Sequence, residues 1–101
     1  LADALGEVFG SDPGGTWVRM RYLAERDYAE NNRPIGDMRP TFVEVLERDA
    51  GGEDIRAERA TALADAVTSV LRRPRPNVHV IFAPAGAGRV AFGGELIRRG
   101  G

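Results

Sequence analysis

The side chains of this chain that could do chemistry are mostly arginines. All 14 basic residues are Arg, Cys and Lys are absent, and the one histidine is His79. These absences exclude disulfides, thiol catalysis, zinc clusters and lysine Schiff bases. A guanidinium is a planar fork that matches a carboxylate, so the composition favours carboxylate recognition, although a bias of the genome explains the same usage.

An arginine pair and a single histidine stand out by residue type and spacing. Arg19 and Arg21, in WVRMR, are two residues apart and therefore share one face of a predicted strand. Arg19 is also interpretable as an exposed arginine paired with Glu25 or Asp27. A lone histidine between two valines, as His79 is, is more often a satisfied structural side chain than a catalytic one.

The bulk properties narrow the class of protein. The chain has 101 residues, is 43% hydrophobic and has a net charge of -1 with a pI of about 5.8. We expect one domain with a modest core, and no nucleic-acid or membrane partner. There is no long apolar run or charged leader, so a cytoplasmic location is expected. The loop GAGRVAFGG enters a strand and not a helix, so it is not predicted to bind phosphate. No cofactor or metal is predicted.

The second half of the chain predicts a parallel βαβ unit. Residues 41–46 alternate as a strand, and residues 53–71 carry apolar side chains at helical spacing from Ile55 to Leu71. Residues 78–82 are almost continuously apolar, so both faces of this second strand are predicted to be covered. A strand, a helical crossover and a second strand form a parallel pair.

An internal repeat extends this prediction to the first half. The segment LADALGEVF matches LADAVTSVL, and TWVRM then matches NVHVI. We interpret residues 1–32 as an incomplete first repeat with a strand over 17–23, residues 33–39 as a linker and residues 40–101 as the second repeat. The expected fold is α/β (α+β), with a four-stranded sheet and two helices on one face. The repeat also predicts that the natural chain begins some two dozen residues before Leu1.

The order of these segments resembles a known family. Pro40 before an apolar strand, the LADAV helix, the strand NVHVIF and the closing GRVAFGGEL are similar to a subunit of the 4-oxalocrotonate tautomerase superfamily. This resemblance implies a tautomerase, an isomerase whose amino-terminal proline moves a proton between atoms of a small unsaturated keto or enol carboxylic acid. It also implies a homotrimer. Pro40 follows Arg39, so its nitrogen is an amide, and the basic proline would belong to the expected upstream segment.

The resemblance also implies roles for particular side chains. Arg19 matches a strand arginine that contacts the substrate, with Arg21 on the same face; His79 holds the equivalent place in the second repeat. The implied catalytic residues are Arg19, Tyr28 and Glu30, and the implied substrate-binding residues are Arg21, Arg48, His79, Val90 and Phe92. Tyr28 aligns with Val90 of the hairpin that walls the family's pocket, and Glu30 is a candidate for activating water.

Two alternatives stay open. Tyr28 and Glu30 would suit a hydratase, dehalogenase or decarboxylase of the same superfamily. A catalytically silent binding module or partner subunit is the alternative from another class, because the given chain has no free proline nitrogen. Trimer packing is also expected because apolar residues such as Trp17, Met20 and Val78 are predicted on the uncovered face of the sheet.

Overall fold

The computed structural model describes residues 1–34, 39–49 and 51–100. Within these ranges the chain is a mixed α/β structure with two helices and two small sheets. The elements are α1 (Ala2–Phe9), a 3-10 turn (Glu25–Asp27), β1 (Thr41–Val45), α2 (Glu53–Leu71), a second 3-10 turn (Arg75–Asn77), β2 (Val78–Phe82), β3 (Ala91–Phe92) and β4 (Glu95–Leu96). None of the helices in the described ranges has both the length and the apolar character needed to cross a membrane.

The segment β1–α2–β2 forms the predicted parallel unit. β1 and β2 pair in parallel, from Thr41 opposite Val78 to Val45 opposite Phe82. Helix α2 has the predicted bounds, and it ends where Arg72 adopts a left-handed conformation with φ 54°. β2 also has the predicted bounds, whereas β1 ends one residue earlier than expected.

The core lies between the helices and one face of the β1–β2 sheet. Its two most buried side chains, Leu63 and Val67 of α2, are each 1% exposed. Helix α1 contributes Leu5, which packs with the strand residues Val45 and Val78. Most of the predicted apolar stripe of α2 is therefore buried or half-buried, although its members Ile55 and Val70 are exposed.

In the isolated chain one face of β2 is covered and the other is open, so the predicted covering of both faces is present on one side only. Val78 is buried and Val80 is half-buried against the core, so these valines do not lie on the uncovered face. His79 and Ile81 alternate with them and are exposed. The apolar residues of β2 therefore lie on both faces of the strand, one of which is covered and one of which is open.

The predicted strand over residues 17–23 does not form. These residues lie in no helix or strand, and Trp17 is 73%, Tyr22 82% and Leu23 64% exposed. A strand needs a partner for its backbone groups, and none of the described strands pairs with residues 17–23. Residues 35–38 of the predicted linker lie outside the described residues.

The predicted glycine-rich hairpin is present as a separate small sheet. β3 and β4 pair antiparallel, with Ala91 opposite Leu96. Gly93 and Gly94, which join them, have φ of 58° and 89°, in the region that glycine adopts without a steric penalty. The four described strands are thus divided between two two-stranded sheets, β1–β2 and β3–β4.

Candidate functional site

The open face of the β1–β2 sheet presents an aromatic pair. Phe42 of β1 lies beside His79 of β2 in the parallel register, and both are exposed. Their ring centroids are 5.5 Å apart at an interplanar angle of 42°. The pair exists because side chains alternate along each strand, so the neighbours of Phe42 and His79 turn towards the core. His79 is therefore accessible from solvent and is not a core histidine.

Tyr28 extends this pair into a cluster. Its ring centroid lies 5.8 Å from that of Phe42, at an interplanar angle of 52°. The Tyr28 hydroxyl donates a hydrogen bond of 2.8 Å to Oε2 of Glu30. Glu30 also forms an isolated antiparallel bridge with Arg33 and a 4.0 Å ion pair with its guanidinium. Two of the predicted site residues, Tyr28 and Glu30, are thus joined directly.

The Glu30 hydrogen bond has an electrostatic consequence for Tyr28. By accepting from the phenol, the Glu30 carboxylate raises the pKa of Tyr28 above its ordinary value of 10.0. The negative charge of Glu30 acts in the same direction. Tyr28 therefore keeps its proton at neutral pH and can donate a hydrogen bond, but it does not act as a base there.

Arg19 lines a groove that Phe42 also lines. This groove of about 160 Å³ runs along β1, and its lining includes Trp17, Arg19, Phe42 and Glu44. The rest of the lining is apolar apart from Thr41: Leu1, Leu5, Val18, Thr41, Val43, Val67 and Leu71. A guanidinium next to an apolar groove can hold a carboxylate while the groove holds the attached carbon chain. Arg19 contributes the cation of this groove, whose lining does not include Arg21.

The remaining predicted site residues lie apart from this cluster. Arg48 follows the carboxyl end of β1, whereas Phe42 is near the start of that strand. The guanidinium of Arg48 donates to the Arg98 carbonyl oxygen at 3.2 Å. Val90 is half-buried in the loop before β3. Phe92 is linked to the groove, because its ring meets that of Trp17 edge-on at 5.0 Å. One chain therefore does not bring all eight predicted residues into one pocket.

Sequence reasoning missed Phe42 as a site residue. Phe42 contacts both Tyr28 and His79 and lines the groove of Arg19, so it joins three residues that were predicted separately. The available signal was its place on the exposed side of the alternating strand, two residues after Pro40. We call Arg19, Tyr28, Glu30, Phe42 and His79 the open-face cluster.

The open-face cluster has no metal-binding character. In the described ranges, no group of three or more His, Cys, Asp or Glu side chains is arranged to hold a metal ion. The cluster instead offers one guanidinium, one protonated phenol, one carboxylate and one imidazole around an aromatic ring. Such a set can bind and orient a small planar carboxylic acid.

Comparison with known proteins assigns neither a family nor a function to this chain. No family model matches the chain, and no curated protein matches it. The fold therefore defines a small mixed α/β protein, and membership of the tautomerase superfamily stays a prediction from the residues.

Proposed function

We propose that this protein catalyses proton transfer on a small unsaturated keto or enol carboxylic acid, as a member of the tautomerase superfamily. The observation that carries the proposal is that Phe42 contacts the rings of Tyr28 and His79 on the open face of the β1–β2 sheet and also lines the groove whose cation is Arg19. A planar conjugated acid can stack on the aromatic face while its charged end meets a guanidinium.

Each member of the proposed site has a role that its environment permits. Arg19 binds the substrate carboxylate at the mouth of the apolar groove. The Tyr28 hydroxyl, which donates to Glu30 in the free protein, turns to donate its one proton to the enol or keto oxygen of the bound acid. His79 orients the bound acid, and Phe42 supplies the stacking surface.

The proton itself needs a basic nitrogen that Pro40 cannot supply, because the Pro40 nitrogen is an amide. In this proposal an amino-terminal proline, preceding Leu1 in the natural chain, takes the proton. Its secondary amine removes a proton from one atom of the conjugated acid, and the resulting ammonium returns a proton to a carbon further along. The reaction is an isomerisation, so no oxidant, reductant or cofactor is consumed.

The first test is the mature amino terminus of the natural protein, by intact mass and amino-terminal sequencing. A terminal proline would make the enzyme testable by the loss of enol absorbance on ketonisation. We then expect Arg19→Gln to lower kcat/KM by about tenfold to a hundredfold, since a charge-assisted hydrogen bond contributes about 1.5–3 kcal/mol. Arg26→Gln, which removes an exposed arginine outside the groove, is the matched control.

A mature terminus at Leu1, without ketonisation, would overturn proline-based catalysis. It would leave a binding module or partner subunit as the function of this chain. If Arg26→Gln and Arg19→Gln reduced the rate equally, the assigned role of Arg19 would be wrong even if the protein were an enzyme.

A hydratase, dehalogenase or decarboxylase is the second candidate function. The observation that favours it is the 2.8 Å hydrogen bond from Tyr28 to Glu30, which pairs a carboxylate with a phenol at the edge of the aromatic cluster. A carboxylate held in this way can orient and activate water. In this candidate, Glu30→Gln removes hydration of an unsaturated acid and leaves ketonisation of an enol acid intact. In the tautomerase proposal the wild-type protein itself does not hydrate the unsaturated acid, so the two candidates differ before any substitution is made.

We propose a homotrimer as the assembled form. Outside the proposed site, the open sheet face exposes Ile81, and the unpaired segment 17–23 exposes Met20 and Leu23. Apolar surface of this kind is typical of an interface between subunits. Light scattering coupled to size-exclusion chromatography gives the mass directly. A monomer at all concentrations would contradict this proposal without bearing on Arg19.

A further inference from the structure

A second cavity opens at the end of the sheet opposite Phe42. Its volume is about 310 Å³, and its lining belongs to three segments that come together only in the fold. Asp49 follows β1, Arg89 lies in the loop after β2, and Arg99 follows β4. The remaining lining is small: Ala85, Ala87 and Gly100. The lining residues do not include any member of the open-face cluster.

Backbone hydrogen bonds fix the loop that carries Arg89. The Gly86 amide donates to the Glu47 carbonyl oxygen at 2.7 Å and the Ala87 amide to that of Arg48 at 3.1 Å. On the other side, the Gly88 amide donates to the Ile97 carbonyl oxygen at 2.6 Å. The loop is thus tied both to the end of β1 and to the segment after β4, which holds the cavity walls in place.

Gly88 gives Arg99 its position. A Cβ at Gly88 would lie only 3.1 Å from Nε of Arg99, so the guanidinium packs directly against the glycine backbone. Gly88 also has a φ of 81°, a conformation that side chains other than glycine rarely adopt. Glycine at this position therefore allows both the turn and the approach of Arg99.

The cavity has more positive than negative charge. Within the described ranges, neither Arg89 nor Arg99 forms an ion pair, whereas four other arginines do. Asp49 is the one carboxylate in the lining, and it is 4.0 Å from Nε of Arg48, so it is already shared with a third arginine. The local excess of guanidinium groups favours an anion with more than one negative charge.

We propose that this cavity binds a small dianion, either a phosphate group or a short dicarboxylate, through the guanidinium groups of Arg89 and Arg99. Two planar forks can each bind oxygen atoms of such a ligand bidentately, which is the chemistry common to both ligands. The volume lies at the lower end of the range for small-molecule pockets, so it suits a group of this size. The binding is by side chains and needs no helix N-terminus.

The test is titration of the full chain with inorganic phosphate, with succinate and with acetate, followed by calorimetry and by amide NMR shifts. We expect phosphate or succinate to bind saturably, with the largest shifts at residues 85–89 and 98–100, and acetate to bind at least about tenfold more weakly, since it can engage one fork only. Preference for phosphate over succinate, or the reverse, identifies which dianion the cavity takes.

Variants separate a built site from general attraction to positive charge. Arg89→Gln and Arg99→Gln are each expected to weaken dianion binding at least about tenfold, whereas Arg26→Gln, with the same change in net charge, leaves it unchanged. Gly88→Ala is expected to weaken it as well, because Arg99 must move. Unchanged NMR spectra outside the cavity show that each glutamine variant is folded.

Two results would overturn the proposal. One is the absence of saturable binding of either dianion by the folded chain. The other is equal weakening by Arg26→Gln and Arg89→Gln, which would show diffuse electrostatic attraction. The proposal does not depend on the tautomerase chemistry, since Arg89→Gln is expected to leave any ketonisation rate unchanged.

Discussion

Residues 17–34 and residues 78–97 follow similar helices but have different structures. Each stretch comes after a LADA-containing helix and a loop with proline, and each contains a segment rich in β-forming residues. In the second stretch Val78–Phe82 is a paired strand, whereas residues 17–23 in the first are unpaired and largely exposed. The difference is that β2 is hydrogen-bonded to β1, whereas residues 17–23 pair with no strand.

This comparison shows how strongly a strand depends on its partner. β-propensity measures how well a side chain fits a sheet that already exists, and it does not supply the hydrogen bonds that make one. Residues 17–23 have alternating apolar side chains, but no described strand pairs with them. Val18 packs against the core, whereas Met20, Tyr22 and Leu23 stay largely in solvent in the isolated chain and are available to a neighbouring subunit.

The largest expected effect contrasts the two regions by burial. Leu63→Ala should lower the free energy of unfolding by about 2–5 kcal/mol, because it removes a 1% exposed side chain and leaves a cavity in the core. Leu23→Ala, the matched control at a 64% exposed position, should change it by less than about 0.5 kcal/mol. Both values come from urea denaturation followed by circular dichroism. Equal losses of unfolding free energy would mean that Leu23 is packed in solution and not exposed as in the isolated chain.

Amide hydrogen exchange tests the same contrast along the backbone. The paired amides of β1 and β2 should exchange at least about tenfold more slowly than those of residues 17–23, because the latter have no ladder hydrogen bonds. If residues 17–23 become protected as protein concentration rises, they pair between subunits. Protection of residues 17–23 that does not depend on concentration would contradict the unpaired conformation.

A smaller effect is expected where α2 meets the end of β1. Arg59 donates to Oε2 of Glu47 at 2.8 Å, and its guanidinium lies 4.8 Å from the centroid of the Phe9 ring. Both side chains are partly buried, so Arg59→Met should cost about 1 kcal/mol, measured by urea denaturation.

The exposed pair between Arg33 and Glu30 is the control, and Arg33→Gln should cost less than about 0.5 kcal/mol. A double-mutant cycle with Glu47→Gln isolates the coupling between Glu47 and Arg59. A coupling near zero would mean that the ion pair does not help to hold α1, α2 and β1 together.

The smallest expected effect concerns the proton of Tyr28. The chain has two tyrosines, so a Tyr22→Phe background leaves Tyr28 as the one phenol. In that background Glu30→Gln should lower the pKa of Tyr28, measured by ultraviolet titration of tyrosinate, because the carboxylate that raises it is lost. An unchanged pKa would show that Tyr28 and Glu30 do not interact in solution.

The raised pKa of Tyr28 also makes the stability of the protein depend on pH. The folded state favours the protonated phenol, so the contribution of Tyr28 to stability is present below pH 10.0, the ordinary pKa of tyrosine, and is lost as pH rises through the raised pKa. The unfolding free energies of the Tyr22→Phe protein and of the same protein carrying Glu30→Gln should therefore converge at high pH.

Local sequence signals predicted the second half of the fold accurately. Helical spacing and the prolines after Arg72 set the bounds of α2, because both act over a few residues. The glycine pair 93–94 likewise marked the hairpin, since the turn needs positive φ. The strand over 17–23 was wrongly predicted by the same kind of signal, because its formation depends on a partner strand and not on local residues.

The candidate site shows the same division. The sequence drew attention to Arg19, Tyr28, Glu30 and His79 by residue type and by the repeat. It did not predict that Phe42 would join them, because contacts between β1, β2 and residues 28–30 depend on how distant segments pack.

The sequence by itself determined the elements whose bounds depend on local rules: the helix that ends at Leu71, the parallel strands on either side of it and the glycine hairpin. Only the tertiary structure decided which face of β2 is open, that residues 17–23 stay unpaired, and that Arg89 and Arg99 line one cavity. The physical reason is that periodicity and turn chemistry act over a few residues, whereas burial, strand pairing and the meeting of charges are set by segments far apart in the chain.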